Sequence, residues 1–189
     1  MEPRFALAVV SSEDGFIARA TDDAPQNWAS AEEQTIFFQH VEAADWAIMG
    51  RNTHEAADKP YRHRIILSRR TSGWQRPTQL WIDPSRLSPG DLPSRVEGVR
   101  PLGAGLILGG TTVHDWFLRH AAIDVIYLTI EPVTFGAGLP IFTGQTGNDP
   151  EAIVKAAGFS KSDERVLNDA GTLYQTWRPA SRSFSSGTG

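Results

Sequence analysis

Leu106-Ile107-Leu108-Gly109-Gly110-Thr111-Thr112 is an apolar run that stops at two glycines and continues into hydroxyl residues. A buried strand that turns tightly into a helix start reads this way. Bare glycine backbone at a strand exit is also where an open α/β sheet lets a phosphorylated ligand approach free helix N–H groups. The common dinucleotide fingerprint is absent, because Gly103-x-Gly105 precedes the strand and no Gly-x-Gly-x-x-Gly follows it. A tight strand-to-helix turn without any ligand accounts for Gly109-Gly110 equally well.

Outward from this point, Phe5 to Val10, Trp46 to Met49, Ile65 to Leu67 and Val125 to Ile130 are short apolar runs of the kind found in buried strands. Between the first two, Ser30 followed by Glu33 forms a capping-box pattern, and Ile36, Phe37 and Val41 share one helical face. Thr112 and Asp115 repeat that start signal before Val113, Trp116, Phe117 and His120. Strands alternating with helices predict a three-layer α/β/α domain around a mixed, mainly parallel sheet, with Leu106 to Leu108 as a central strand. Val154 to Lys161 and Glu164 to Trp177, the latter broken by Asn168-Asp169-Ala170-Gly171, predict a closing antiparallel hairpin. Thr71 to Gly103 reads as loop with one strand, Gln79 to Ile82, and at most a short helix; Gly144 to Pro150 reads as loop. We expect one domain over residues 1–178 and a flexible tail over 179–189, where apolar side chains are scarce.

The net charge of −4, without long runs of one sign, offers no electrostatic footprint for nucleic acid or an anionic membrane. No apolar stretch is long enough to span a bilayer, and Met1-Glu2-Pro3-Arg4 does not open a signal peptide, so a cytoplasmic location is expected. The chain has no cysteine, and its histidines show no ligand spacing, so neither a disulfide nor a metal is expected. The expected ligand is a small molecule.

Arg51 and Thr53 follow Gly50 at the end of the second apolar run, and Ser68, Arg69 and Arg70 follow the third. Arginines at two strand exits suit bidentate contacts to phosphate, and one beside an adenosine ribose would favour NADP over NAD. Taken singly, each arginine is more often a solvated surface charge than a ligand; their joint position at two strand exits argues against that.

Taken in order, Ser11-x-x-Asp14-Gly15-x-Ile17-Ala18, Trp28-x-Ser30, Asp45-x-x-Ile48-Met49-Gly50-Arg51-x-Thr53, Ile66-Leu67-Ser68, Gly109-Gly110 and Ile123-Asp124 through Leu128-Thr129-Ile130-x-Pro132-Val133-x-x-Gly136-x-Gly138-x-Pro140-x-Phe142 resemble the dihydrofolate reductase-like superfamily. The last segment is most similar to the reductase domain of the bifunctional riboflavin-biosynthesis deaminase/reductase and its stand-alone relatives. No zinc deaminase motif accompanies it. The resemblance implies hydride transfer from NADPH. It implies that Val10, Ile17 and Ala18 lie along the nicotinamide, that Gly50, Arg51, Thr53, Ser68, Arg69 and Arg70 hold the adenosine side, and that Gly109, Gly110, Thr111, Thr112 and Val113 hold the pyrophosphate. On the substrate side it implies Asp14, Trp28, Phe37 and Thr129, with Glu33 as the catalytic carboxyl. Against that role, Glu33 fits the third residue of a capping box, which needs no substrate.

Three functions remain open on these grounds. One is a riboflavin-type reductase acting on a phosphorylated ribosylamino-pyrimidine, a second a pterin or dihydrofolate reductase, and a third a non-catalytic NADP-binding sensor. By resemblance, Glu131 to Phe142 would support a homodimer.

Overall fold

The computed structural model describes residues 4–181. The chain opens with β1 (Arg4–Ser12) and β2 (Phe16–Ala18), then α1 (Ala31–Ala43), β3 (Trp46–Gly50), α2 (Arg51–Ala56) and β4 (Arg64–Leu67). It continues through β5 (Gly73–Arg76), β6 (Gln79–Ile82), α3 (Leu92–Val96), β7 (Ala104–Gly109), α4 (Thr111–Arg119) and β8 (Val125–Glu131). The last elements are β9 (Leu139–Pro140), α5 (Pro150–Ala156), β10 (Phe159–Val166) and β11 (Leu173–Pro179).

Nine strands form one sheet in the order β10-β11-β8-β1-β7-β3-β4-β6-β5, and β2 pairs with β9 in a separate antiparallel ribbon. β7 lies at the centre, between β1 and β3 and parallel to both. The inner strands from β8 to β6 are parallel, while β5, β11 and β10 join antiparallel at the edges. This is the mixed sheet with a terminal hairpin that the order of apolar runs predicts.

Period-two alternation divides the sheet into two unlike faces. Phe5, Leu7, Val9, Ile48, Ile65, Ile107, Ile126 and Leu128 pack into the main core with Leu92 and Val96 of α3 and Val113, Trp116 and Phe117 of α4. The opposite face carries a smaller cluster of Ala47, Met49 and Ile66, with Trp81 and Leu108 against it. α1 and α2 stand to either side of this face and leave a trough along the sheet.

The structure departs from the expectations in several places. Residues 150–156 are helix, which takes Val154 to Ala156 from the expected strand Val154 to Lys161, because Asp149 accepts a hydrogen bond from the Glu151 amide and Pro150 sits where a helix needs no N–H donor. β10 instead runs through the expected break between Lys161 and Glu164, so the closing hairpin turns at residues 168–171. β5 adds an edge strand within the presumed loop. α4 starts at Thr111 with Gly110 as its cap; Thr112 is not the cap, and Asp115 instead accepts hydrogen bonds from Thr143. Pro179 belongs to β11 and the Ala180 amide donates to Gly158, so the start of the expected tail is tied down, and 182–189 lie outside the described residues. No helix among the described residues is long and apolar enough to cross a membrane.

Candidate active site

The trough is a cleft of about 1350 Å³. That exceeds the range of roughly 300–1,000 Å³ usual for one drug-sized ligand and leaves room for two ligands side by side. The strand exits meet along it: Gly50, Arg51 and Thr53 after β3, Ser68, Arg69 and Arg70 after β4, and Gly109, Gly110, Thr111 and Thr112 after β7. Val10, Ile17 and Ala18 line the same space from β1 and β2, with Glu33 and Phe37 of α1.

At the β7 exit, Gly109 has φ +107, and a Cβ there would come within 3.2 Å of Nε2 of His114. Only glycine meets both demands without displacing the histidine. A Cβ on Gly110 would meet no atom within 4 Å, and this residue caps α4 without a side chain, so the helix N-terminus is bare. The Thr111 hydroxyl turns away to donate to the Pro140 carbonyl at 2.6 Å. His114, which sequence reading missed, lines the cleft with Nδ1 2.8 Å from the Ile141 carbonyl; burial holds its pKa below the ordinary value.

The exits after β3 and β4 differ in how free their cations are. Arg51 pairs with Glu55 at 3.3 Å, one turn along α2. Arg69 and Arg70 are exposed and form no ion pair among the described residues, and the Arg70 amide is held by the Ser68 hydroxyl at 3.2 Å.

At α1, Ser30 caps the helix by accepting from the Glu33 amide at 3.2 Å. The reciprocal bond of a capping box does not come from Glu33. The Ser30 amide donates instead to Glu131 at 2.7 Å, and the other Glu131 oxygen accepts from the Thr172 hydroxyl at 2.7 Å. The Glu33 carboxyl is thereby released from the helix cap. It is 6% exposed and raised to about 7, first by burial and then by the charge of Glu131.

Asp14, Trp28 and Val113 are not part of the cleft lining. Asp14 accepts from the Ser12 hydroxyl and from the Phe135 and Gly136 amides at 2.6, 3.1 and 2.7 Å, which pins the loop after β8 to the β1–β2 turn. Trp28 meets Phe135 edge-on at 4.9 Å, and its indole N–H is buried without a partner among the described residues. Val113 faces the main core from the first turn of α4, on the same face as Trp116 and Phe117. Thr129 lies beneath α1, in a small cavity that also touches Glu33 and Phe37.

The cleft runs further than the sequence indicated. Lys59, Arg62 and Arg64 line its far part together with His63 and Arg100. Arg62 is paired with Glu42 and Arg100 with Asp45, whereas Arg64 is buried and bonds the neutral Nδ1 of His54 at 3.1 Å. Burial holds both Arg64 and His54 below their ordinary pKa values.

No family model matches the chain. The Bacillus subtilis (strain 168) protein YwjB, described as uncharacterized, is 25% identical over 161 residues, covering 75% of this chain and 84% of that protein. Among solved structures, the diaminohydroxyphosphoribosylaminopyrimidine deaminase/5-amino-6-(5-phosphoribosylamino)uracil reductase of Thermotoga maritima superposes with TM-score 0.68 at 20% identity, over 95% of this chain and 57% of that one. Dihydrofolate reductase from Enterococcus faecalis, complexed with NADP(H) and RAB-propyl, superposes with TM-score 0.65 at 19% identity, over 96% of this chain and 99% of that one.

Proposed function

We propose that this chain, which has the dihydrofolate reductase-like fold, is an NADPH-dependent reductase that transfers hydride to a phosphorylated ribosylamino-pyrimidine. The observation that carries this reading is that one cleft holds both the bare helix start at Gly109-Gly110 and the buried carboxyl of Glu33. NADPH, when bound, supplies the hydride. Gly109, Gly110 and the first amides of α4 would hold the pyrophosphate, Arg69 and Arg70 the adenosine phosphate, and Val10, Ile17 and Ala18 the nicotinamide. Opening of the ribosyl ring breaks the bond from C1′ to the ring oxygen, passes the nitrogen's proton to that oxygen and leaves an imine. A carboxyl near neutrality suits proton donation to the imine nitrogen as C1′ accepts the hydride and the C=N bond becomes single. Arg64, whose one side-chain hydrogen-bond partner among the described residues is an uncharged histidine, with Lys59 lining the same cleft, favours a substrate with an anionic end.

Glu33 and Phe37 at one helical turn also suit a pterin, which is the second reading. Incubating the protein with NADPH and either 5-amino-6-(5-phosphoribosylamino)uracil or dihydrofolate, and following NADPH consumption, separates the two. Consumption with neither would favour a nucleotide sensor.

Cofactor choice is tested separately. Arg69→Glu should weaken NADPH binding by about 1–3 kcal/mol and leave NADH nearly unchanged, because only NADPH offers a 2′-phosphate to a charge-assisted bond. Isothermal titration with both cofactors measures this, and equal losses would move Arg69 away from the 2′-phosphate. We also propose that the chain forms a homodimer. Sedimentation at micromolar concentration should show a species near twice 20.7 kDa, and a monomer alone would rule it out.

A further inference from the structure

The interface between α1 and the sheet sets a row of polar side chains beside Ala8, Val9, Ile36 and Phe37, where helix–sheet contacts are ordinarily apolar throughout. Along β8 the side chains of Tyr127, Thr129 and Glu131 succeed one another on the α1 face, at the strand period of two. α1 answers with Glu33, Phe37 and His40, at the spacing of one helical face. Glu33, His40, Tyr127, Thr129 and Tyr174 line one small pocket of about 10 Å³ beneath α1, the least volume that admits a single water molecule.

His40 is clamped in this stripe. Its ring stacks on Tyr127 with centroids 4.1 Å apart, and Nε2 lies 2.8 Å from the hydroxyl of Tyr174. The Tyr174 ring in turn lies beneath the Arg165 guanidinium, 4.9 Å away. The histidine is half-buried, with one side toward solvent and the other toward the cavity. Apolar side chains would join helix to sheet without the cost of burying a histidine and a phenol.

We propose that His40 relays protons between solvent and Glu33, by way of the cavity and the Thr129 hydroxyl beneath α1. This rests on the reading of Glu33 as proton donor. In that reaction the hydride forms the new carbon–hydrogen bond, and the Glu33 proton forms the new nitrogen–hydrogen bond, leaving a carboxylate. The carboxylate must regain one proton from water before the next turnover, and the cleft that it lines offers one only once cofactor and product have left. A route under the helix reaches it from behind.

The surroundings of His40 suit a relay. It faces Tyr127 from β8, Tyr174 from β11, Arg165 from β10 and Glu33 from its own helix, and Asp163 of β10 acts on Tyr174. Burial and then Arg165 hold His40 below its ordinary value, and burial pushes the Tyr174 phenol up to about 12. At neutral pH the histidine is therefore uncharged and the tyrosine keeps its proton. His40 acts through Glu33 and does not touch the substrate.

His40→Gln keeps a hydrogen-bonding partner for Tyr174 but carries no proton. With enzyme in excess over 5-amino-6-(5-phosphoribosylamino)uracil, its first turnover should stay within about twofold of wild type, while steady-state kcat falls about tenfold with a larger solvent isotope effect. Tyr174→Phe should behave alike. Unchanged steady-state rates in both variants would overturn the relay. A measurement without substrate separates its failure from that of the parent reading. In protein labelled with ¹³C at glutamate carboxyls, the Glu33 resonance should show its own inflection and a second one that follows His40 and vanishes in His40→Gln. A Glu33 resonance blind to His40 would overturn the relay whatever the substrate. Full turnover in Glu33→Gln would instead remove the parent reading, and the relay with it.

Discussion

Glu33→Gln should lower kcat/KM by roughly 10²-fold or more and leave NADPH affinity unchanged, because the amide can still hydrogen-bond but has no proton to give. In the wild type, kcat/KM should fall as pH rises through about 7, the value to which burial and Glu131 raise this carboxyl. Near-normal turnover in the variant would leave Glu33 as a structural residue. The same variant carries a stability signature of opposite sign. The folded protein holds the Glu33 proton from its ordinary 4.5 up to about 7, so wild-type stability declines as pH rises across that window and is level above it. Glutamine never ionises. Thermal unfolding should therefore find the two proteins alike near pH 4, and the variant more stable above pH 8 by about 3 kcal/mol. Such a gain in stability with a loss of turnover is expected of a group kept in an unfavourable setting for its chemistry.

Sequence alone left Glu33 undecided, and the reason is one of distance. Ser30 and Glu33 satisfy the local pattern of a capping box, and the Ser30 side chain does cap the helix. The return bond is made by Glu131, 101 residues further on, which no local pattern can signal. Asp14 is a similar case. The resemblance implies a place for it on the substrate side, but two of its hydrogen-bond donors lie 121 and 122 residues away. The strands that frame the cleft were legible because each is a short apolar run buried on both faces, so Trp46 to Met49 and Ile65 to Leu67 needed no long-range information. β5 was illegible for the converse reason: Gly73, Trp74 and Gln75 are all exposed at the sheet edge, and no alternation marks them. α5 carries a readable start in Asp149-Pro150, but those residues close a stretch that reads as loop, and the helix they open is only seven residues long.

Gly138→Ala should be among the most disruptive single substitutions in the chain. A Cβ at this position would lie 2.2 Å from the carbonyl oxygen of Ala18 and 3.2 Å from its carbon, and both are backbone atoms that cannot rotate aside. β9 must then move off β2, where Leu139 pairs with Ala18 and Pro140 with Phe16. The movement reaches the cleft by two routes. Ile17 and Ala18 are part of its wall, and the Pro140 carbonyl accepts the Thr111 hydroxyl at the start of α4. The expected cost is about 3 kcal/mol of stability, or roughly 10 °C in Tm, together with about tenfold weaker NADPH binding. Gly136→Ala is the control. That glycine has φ +77 but open space around a Cβ, so the change should cost about 1 kcal/mol of backbone strain and leave the cofactor affinity alone. Thermal unfolding and NADPH titration of the pair separate strain from displacement. If both variants bind NADPH as the wild type does, the β2–β9 ribbon is not a wall of the cofactor site, and Ile17 and Ala18 lose their proposed contact with the nicotinamide.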